Sequence, residues 1–140
     1  MRRGVSPVSG FMKERDSVAD RAAMTPSLED YLKVIYGLHE ADRVVRSIDV
    51  AEGLSVTKPS ANRAIAQLRD MGLVEHEPYG PVLLTATGID MAERIVARHD
   101  VIKRFLVGML NIDEDFAASE ACRIEHGISA TTVERMAVLV

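Results

Sequence analysis

The stretch from Ser47 to Gly72 constrains this chain more than any other. The pattern Ile48-x-x-Ala51-x-x-Leu54-x-Val56-x-x-x-Ser60 predicts a short apolar helix, a tight turn through Gly53-Leu54-Ser55-Val56, and the start of another helix. Ser47 is expected to cap the short helix, Ile48 to about Leu54. Thr57 is expected to cap the next, from Lys58 to about Met71, with Pro59 in its first turn, where the missing N–H costs nothing. Ala51 is small where two helices must cross closely. Ala61, Ala64, Ile65 and Leu68 recur at helical spacing and supply one buried face. Gly72 then stops the helix, and the period changes at once. Leu73–His76 and Val82–Leu84 are strand-like runs on either side of the turn cluster Pro78-Tyr79-Gly80-Pro81.

Before this stretch, Leu28, Tyr31, Leu32, Ile35, Tyr36 and Leu38 form the apolar stripe of a helix from Leu28 to about Ala41, with Ser27 as its expected N-cap. Helix, short helix, turn, helix and hairpin, in that order, make a winged helix-turn-helix. After the hairpin, Thr85 or Thr87 caps a long helix, about Ala86 to Leu110. A fifth helix spans about Glu114 to His126, ended by Gly127, and Ser129 caps a last one. The expected fold is mainly α: a winged helix-turn-helix domain with a two-stranded wing over residues 25–88, and a helical dimerisation domain over 89–140. Residues 1–24 read as a disordered tail, broken by Gly4, Pro7 and Gly10, in which Glu14–Ala23 could form a short helix.

Aromatic residues make up 4% of the chain and Trp is absent, so the core is built from Leu, Ile, Val, Ala and Met. The net charge of −4 argues in bulk against a nucleic-acid partner. Binding depends on the local face, however, and from Thr57 to Arg69 every charged side chain is positive. Asn62 and Arg63 suit bidentate contacts with adenine and guanine, Lys58 and the helix N-terminus suit phosphate, and Ser60 lies in the first turn within reach of either. A solvated polar face would look the same at any single position; the whole arrangement points to double-stranded DNA. The one cysteine, Cys122, excludes an internal disulfide. No apolar run approaches a membrane span and the N-terminus lacks a signal-peptide core, so the expectation is a cytoplasmic protein with no membrane partner.

Cys122, Glu125 and His126 stand at i, i+3 and i+4 of the fifth helix and share one face. Thiolate, carboxylate and imidazole together make a plausible metal site that needs a further ligand from elsewhere. A buried Cys beside a solvent-facing Glu and His would fit the same spacing.

The segments Thr25–Tyr36 and Glu120–His126 resemble the diphtheria toxin repressor and manganese transport regulator family. Asp49, Val50, Ala51, Glu52, Pro59 and Ser60 in the helix-turn-helix, and Ala97-Arg98-His99 in the long helix, fit the same family. The resemblance covers about Met24 to the end, and the pairing of Cys-x-x-Glu-His with the first-helix motif is its specific part. It implies a metal-dependent DNA-binding regulator in which a divalent metal bridges the first and fifth helices, with Asp30, Cys122, Glu125 and His126 as ligands. His99 matches a ligand of the family's second, ancillary site. Lys33 and Lys103 stand where various members place carboxylates, and Ala118 where some place a His. An ammonium, that of Lys33, is then expected to take the place of a second cation. Asp30 and Glu125 suit Mn(II) and Fe(II), while Cys122 is softer, so the expected cofactor is Mn(II) or Fe(II). The sequence ends before the C-terminal β-domain that longer members carry, as expected of either a short member or a truncated chain.

The implied protein is a homodimer reading a palindromic operator with half-sites about one helical turn apart, with Thr57, Lys58, Pro59, Ser60, Asn62 and Arg63 at the DNA. The implied output is repression of metal-uptake genes. Ile95, Val96, Ile102, Phe105, Leu106, Met109 and Leu110, with Met136, Val138, Leu139 and Val140, are candidates for the dimer interface, with some of this stripe expected to be ordinary intramolecular core. The competing reading is a metal-independent winged-helix regulator with Cys122 as a thiol sensor. An enzyme is disfavoured: no oxyanion loop, nucleotide loop or orienting third group accompanies Cys122, and no organic small-molecule substrate is expected.

Overall fold

A computed structural model describes residues 24–140 of the 140-residue chain. The expected tail and the short helix over Glu14–Ala23 lie outside the described residues. Among the described residues the elements run α1 (Pro26–Glu40), α2 (Ser47–Leu54), α3 (Lys58–Asp70), β1 (Val74–His76), β2 (Val82–Leu84), α4 (Ala86–Leu110), α5 (Glu114–Ile124) and α6 (Ala130–Leu139). They form two compact units, the first ending at Ile95 and the second comprising Val96–Val140. Helix α4 contributes its first turns to one and the rest to the other. No described helix is long and apolar enough to cross a membrane.

In the first unit, α1 begins earlier than its stripe predicts. Thr25, not Ser27, is the N-cap, and its hydroxyl accepts from the Leu28 N–H at 3.2 Å. The reason is Pro26, which lacks an N–H to leave unsatisfied and so takes the first helical position, drawing Ser27 inside the helix. Helix α2 likewise includes Ser47. Its N-cap is Arg46, whose N–H donates to the Asp49 carboxylate at 3.0 Å, the back-reaching half of a capping box, so the acid at the third position anchors the start that a Ser47 hydroxyl was expected to cap.

The turn after α2 is left-handed at Ser55, with φ 56°, and the Val56 N–H reaches back to Ala51 O at 3.0 Å. Val56 contributes through this backbone bond, since its side chain is exposed. Helix α3 buries Ala61, Ala64, Ile65 and Leu68 against Leu32, Ile35 and Val50, each at most 5% exposed. At Gly53 an added Cβ would meet Val34 Cγ1 at 2.9 Å, which allows α1 and α2 to approach closely.

Gly72, at φ 79°, reverses the chain after α3. The hairpin is antiparallel, pairing Val74 with Leu84, Glu75 with Leu83 and His76 with Val82, so that Val74 and Val82 face the core. The Val82 N–H also donates to Val45 O at 2.8 Å, which extends the sheet's bonding by one link. Thr85 is the cap of α4. Its hydroxyl accepts from the Gly88 N–H at 3.0 Å and donates to Gly72 O at 2.7 Å, tying the end of α3 to the start of α4.

In the second unit, Ile102 and Leu106 of α4 bury themselves against Ala117 and Ala121 of α5. Asp113 caps α5, accepting from the Asp115 and Phe116 N–H groups at 3.1 and 3.3 Å. The helix ends at Ile124, two residues short of the expected His126. The Gly127 N–H bonds Ile124 O at 3.0 Å, closing a tight last turn through Glu125 and His126. Ser129 caps α6, which has no buried residue. Large apolar side chains stay exposed here: Met109, Leu110 and Phe116, and, at 82%, Val138.

Candidate metal centre and nucleic-acid interface

The helix-turn-helix presents α3 with its polar face outward. Thr57, Lys58, Pro59, Asn62 and Arg63 are exposed and Ser60 is half-buried. Thr57 Oγ1 accepts from the Ser60 N–H at 3.2 Å and donates to Ser60 Oγ at 3.0 Å, and Arg63 Nη2 donates to the same Oγ at 3.2 Å. The first turn is therefore ordered by its own side chains, and Arg63 is held against it. No acidic residue lies in that turn. Arg69, further along, pairs with Asp70 at 3.5 Å and offers less free charge. All six residues expected at the DNA lie together on one helix end, within the unit that carries the hairpin.

The second candidate site lies in the other unit, where α4 meets the C-terminus of α5. His99 Nδ1 is 2.8 Å from Glu125 Oε1, His126 Nε2 is 3.4 Å from Glu125 Oε2, and Cys122 Sγ is 3.9 Å from His99 Nδ1. Ligand atoms of His99, Cys122 and Glu125 all lie within 4.8 Å of one another. Glu125 is 1% exposed, His99 and His126 are partly buried, and Cys122 is exposed. This inverts the bland reading of the motif, in which the Cys is buried and the acid faces solvent.

Helix α5 explains the inversion. Glu125 is its C-cap and keeps helical angles, φ −58° and ψ −27°, so it continues the face of Ala117 and Ala121, which packs on α4. A carboxylate there is doubly disfavoured, since it is out of water and beside the negative end of the helix dipole. Arg123, the basic residue of the last turn, pairs instead with Glu120 at 3.6 Å.

Positive charge at Glu125 would offset both penalties. Imidazole nitrogens face each of its oxygens, and a divalent ion among carboxylate, imidazole and thiolate would supply that charge. The donor separations are compatible with bonds of about 2.0–2.3 Å to a common ion. The residues present therefore fit a metal.

Spacing on α5 pointed to Cys122, Glu125 and His126, whereas His99 came from resemblance alone, assigned to a separate ancillary site. The geometry brings His99 into the same cluster as Cys122 and Glu125. Lys103 instead pairs with Glu114 at 3.6 Å. Asp30 lies on α1 of the other unit and is half-buried.

Comparison with known proteins finds relatives of both parts of the chain. Residues 23–82 match the iron dependent repressor N-terminal DNA binding domain, and residues 85–140 the iron dependent repressor metal binding and dimerisation domain. An uncharacterised helix-turn-helix-type transcriptional regulator of Methanocaldococcus jannaschii is 40% identical over 117 residues, covering 82% of this chain and 93% of that protein. The transcriptional regulator MntR of Bacillus subtilis is 33% identical over 116 residues, covering 83% and 81%. Among solved structures, a manganese-dependent transcriptional repressor in complex with manganese superposes with TM-score 0.74 at 34% identity, over 80% of this chain and 51% of that one. The manganese regulator SloR superposes with TM-score 0.72 at 35% identity, over 83% and 54%. The chain thus spans about half the length of these solved relatives. With family models matching nearly all described residues, the chain belongs to the iron dependent repressor family of metal-dependent, DNA-binding transcriptional regulators.

Proposed function

We propose that this protein is a repressor activated by Mn(II) or Fe(II), which it senses through Cys122, Glu125, His126 and His99, with Asp30 of α1 completing the shell. The observation that carries this reading is the convergence of His99, Cys122 and the fully buried Glu125. The solved relative described as manganese-dependent and bound to manganese supports the hard end of the metal range. The thiol of Cys122 supports Fe(II) beside Mn(II).

Ligands drawn from α1 and from α4 and α5 would make metal occupancy and DNA binding two faces of one equilibrium. A metal that binds the DNA-competent arrangement better shifts the population towards it. Met109, Leu110 and Phe116 supply apolar surface for a homodimer through the second unit. Two α3 helices related by a two-fold axis would read a palindromic operator, with Asn62 and Arg63 at base edges and Lys58 at phosphate. Genes for metal uptake are the fitting targets, because their repression when metal is plentiful closes a feedback loop.

Anaerobic Co(II) titration of the metal-free protein tests the site. A saturable sulfur-to-cobalt absorption band in the wild type that vanishes in Cys122→Ala is expected. The absence of any saturable band would remove the metal centre.

A further inference from the structure

We propose that Tyr79, at the tip of the β1–β2 hairpin, is a DNA-contact residue whose ring enters the minor groove beside the segment read by α3, an inference that rests on the DNA-binding function above. Two independent costs mark the residue. The first is solvation. Of the three tyrosines, Tyr31 is 7% exposed and Tyr36 is partly buried, but Tyr79 is 101% exposed. A bare aromatic ring on a hairpin tip forgoes all the burial that makes aromatics stabilising.

The second cost is conformational. The Gly80 N–H donates to Glu77 O at 2.9 Å, closing a four-residue turn with Pro78 in its second position and Tyr79 in its third. Tyr79 has φ 63°. A turn with Pro second and positive φ third is of type II, and its third position favours Gly or Asn. Gly80 stands one residue later, where a Cβ would lie 3.3 Å from Glu77 O, a tight contact. The left-handed position is thus occupied by a bulky aromatic at a steric cost. Pro78 and Pro81 on either side stiffen the tip that carries it.

The chemistry of the hairpin selects the kind of contact. Between Val74 and Leu84 the chain carries Glu75, His76 and Glu77 but no Lys or Arg, and both acids are exposed. This wing has no cation to pair with phosphate. What its tip offers is a flat uncharged ring and one phenolic O–H, which suit the sugar walls of a minor groove and its adenine N3 and thymine O2 acceptors. The acids flanking the tip disfavour deeper phosphate approach and confine the contact to Tyr79.

Continuity with the DNA-binding face argues for DNA rather than a protein as the occupant. The hairpin is bonded to the end of α3: the Leu73 N–H donates to Leu68 O at 2.9 Å and the Thr85 hydroxyl to Gly72 O at 2.7 Å. Both belong to the same compact unit, so docking α3 on a duplex carries the tip with it.

The test uses full-length protein loaded with Mn(II) and a fluorescein-labelled duplex enriched by the wild type from a random-sequence pool. Tyr79→Gly accepts the left-handed backbone without strain, so its melting temperature should not fall, while its affinity should weaken on the order of tenfold. The salt dependence should keep the wild-type slope, because no phosphate contact is lost. Tyr79→Trp introduces the chain's sole indole, whose acrylamide quenching should drop several-fold when the duplex is added. Tyr79→Gly binding within about twofold of wild type, or an indole equally quenched with and without duplex, would overturn the proposal while leaving the DNA-binding function intact. An indole shielded by protein concentration alone would assign the tip to a protein partner and also overturn it. A wild type that enriches no duplex would overturn both this proposal and the function on which it rests.

Discussion

His99 Nδ1 stands 2.8 Å from Glu125 Oε1, joining α4 to the C-cap of α5 through a carboxylate that has no exposed side-chain surface. The contact is intelligible as one edge of a cation site: it holds the acid where a metal needs it and leaves the thiol of Cys122 at the open side. Glu125→Gln keeps the shape and removes the charge. It should lower affinity for Mn(II) by about 100-fold or more, beyond what loss of a mere hydrogen-bond partner of a ligand costs, with the helices intact by circular dichroism. Calorimetric titration would check this, and an unchanged affinity would exclude Glu125 from the metal shell.

Cys122 is the soft member of a mostly hard donor set. Cys122→Asp should shift selectivity towards Mn(II) and away from Zn(II), by about tenfold or more in the ratio of affinities. Competition of the two metals for the purified protein would reveal it. A ratio unmoved by the change would mean the sulfur does not touch the ion.

Gly88 sits where an added Cβ would lie 2.0 Å from Leu73 O, a backbone atom at the base of the wing. Gly88→Ala should therefore destabilise the first unit by about 2–4 kcal/mol, the range of overpacking that backbone must relieve. Urea unfolding would measure it.

Thr85 makes two bonds through one hydroxyl, to Gly72 O and from the Gly88 N–H. Thr85→Val, which keeps the branching and removes both, should cost about 1–2 kcal/mol. The same unfolding experiment would report it.

Arg63 is held against the first turn of α3 by Ser60 Oγ. Arg63→Ala should weaken binding to the enriched duplex by about 1–3 kcal/mol and relax selectivity at one base position. Uniform weakening across sequences, with a shallower salt slope, would instead mark Arg63 as a phosphate contact.

What the sequence revealed and what it concealed divide along physical lines. The buried face of α3 was legible because Ala61, Ala64, Ile65 and Leu68 obey a single helical period. The wing was legible because Gly72 and the Pro78–Pro81 cluster punctuate two short β-type runs. The start of α1 was not legible, because Thr25 and Ser27 are both good caps and only Pro26 between them decides. Spacing put Cys122, Glu125 and His126 on one side of α5, but periodicity says nothing of which edge of that side turns inward. The burial of Glu125 over Cys122 needed the packing of Ala117 and Ala121 on α4 to be seen. The left-handed backbone at Tyr79 was equally hidden, because a Gly next to it is where such a conformation is ordinarily expected.

The central claim, that metal occupancy controls DNA binding, is tested most directly by fluorescence anisotropy of a duplex enriched by the Mn(II)-loaded protein, read before and after chelation. The account predicts a loss of affinity of about 100-fold on chelation, restored by Mn(II) or Fe(II) and absent in Glu125→Gln. Binding that ignores chelator but is abolished by peroxide, and preserved in Cys122→Ser, would contradict it and assign the switch to the thiol alone.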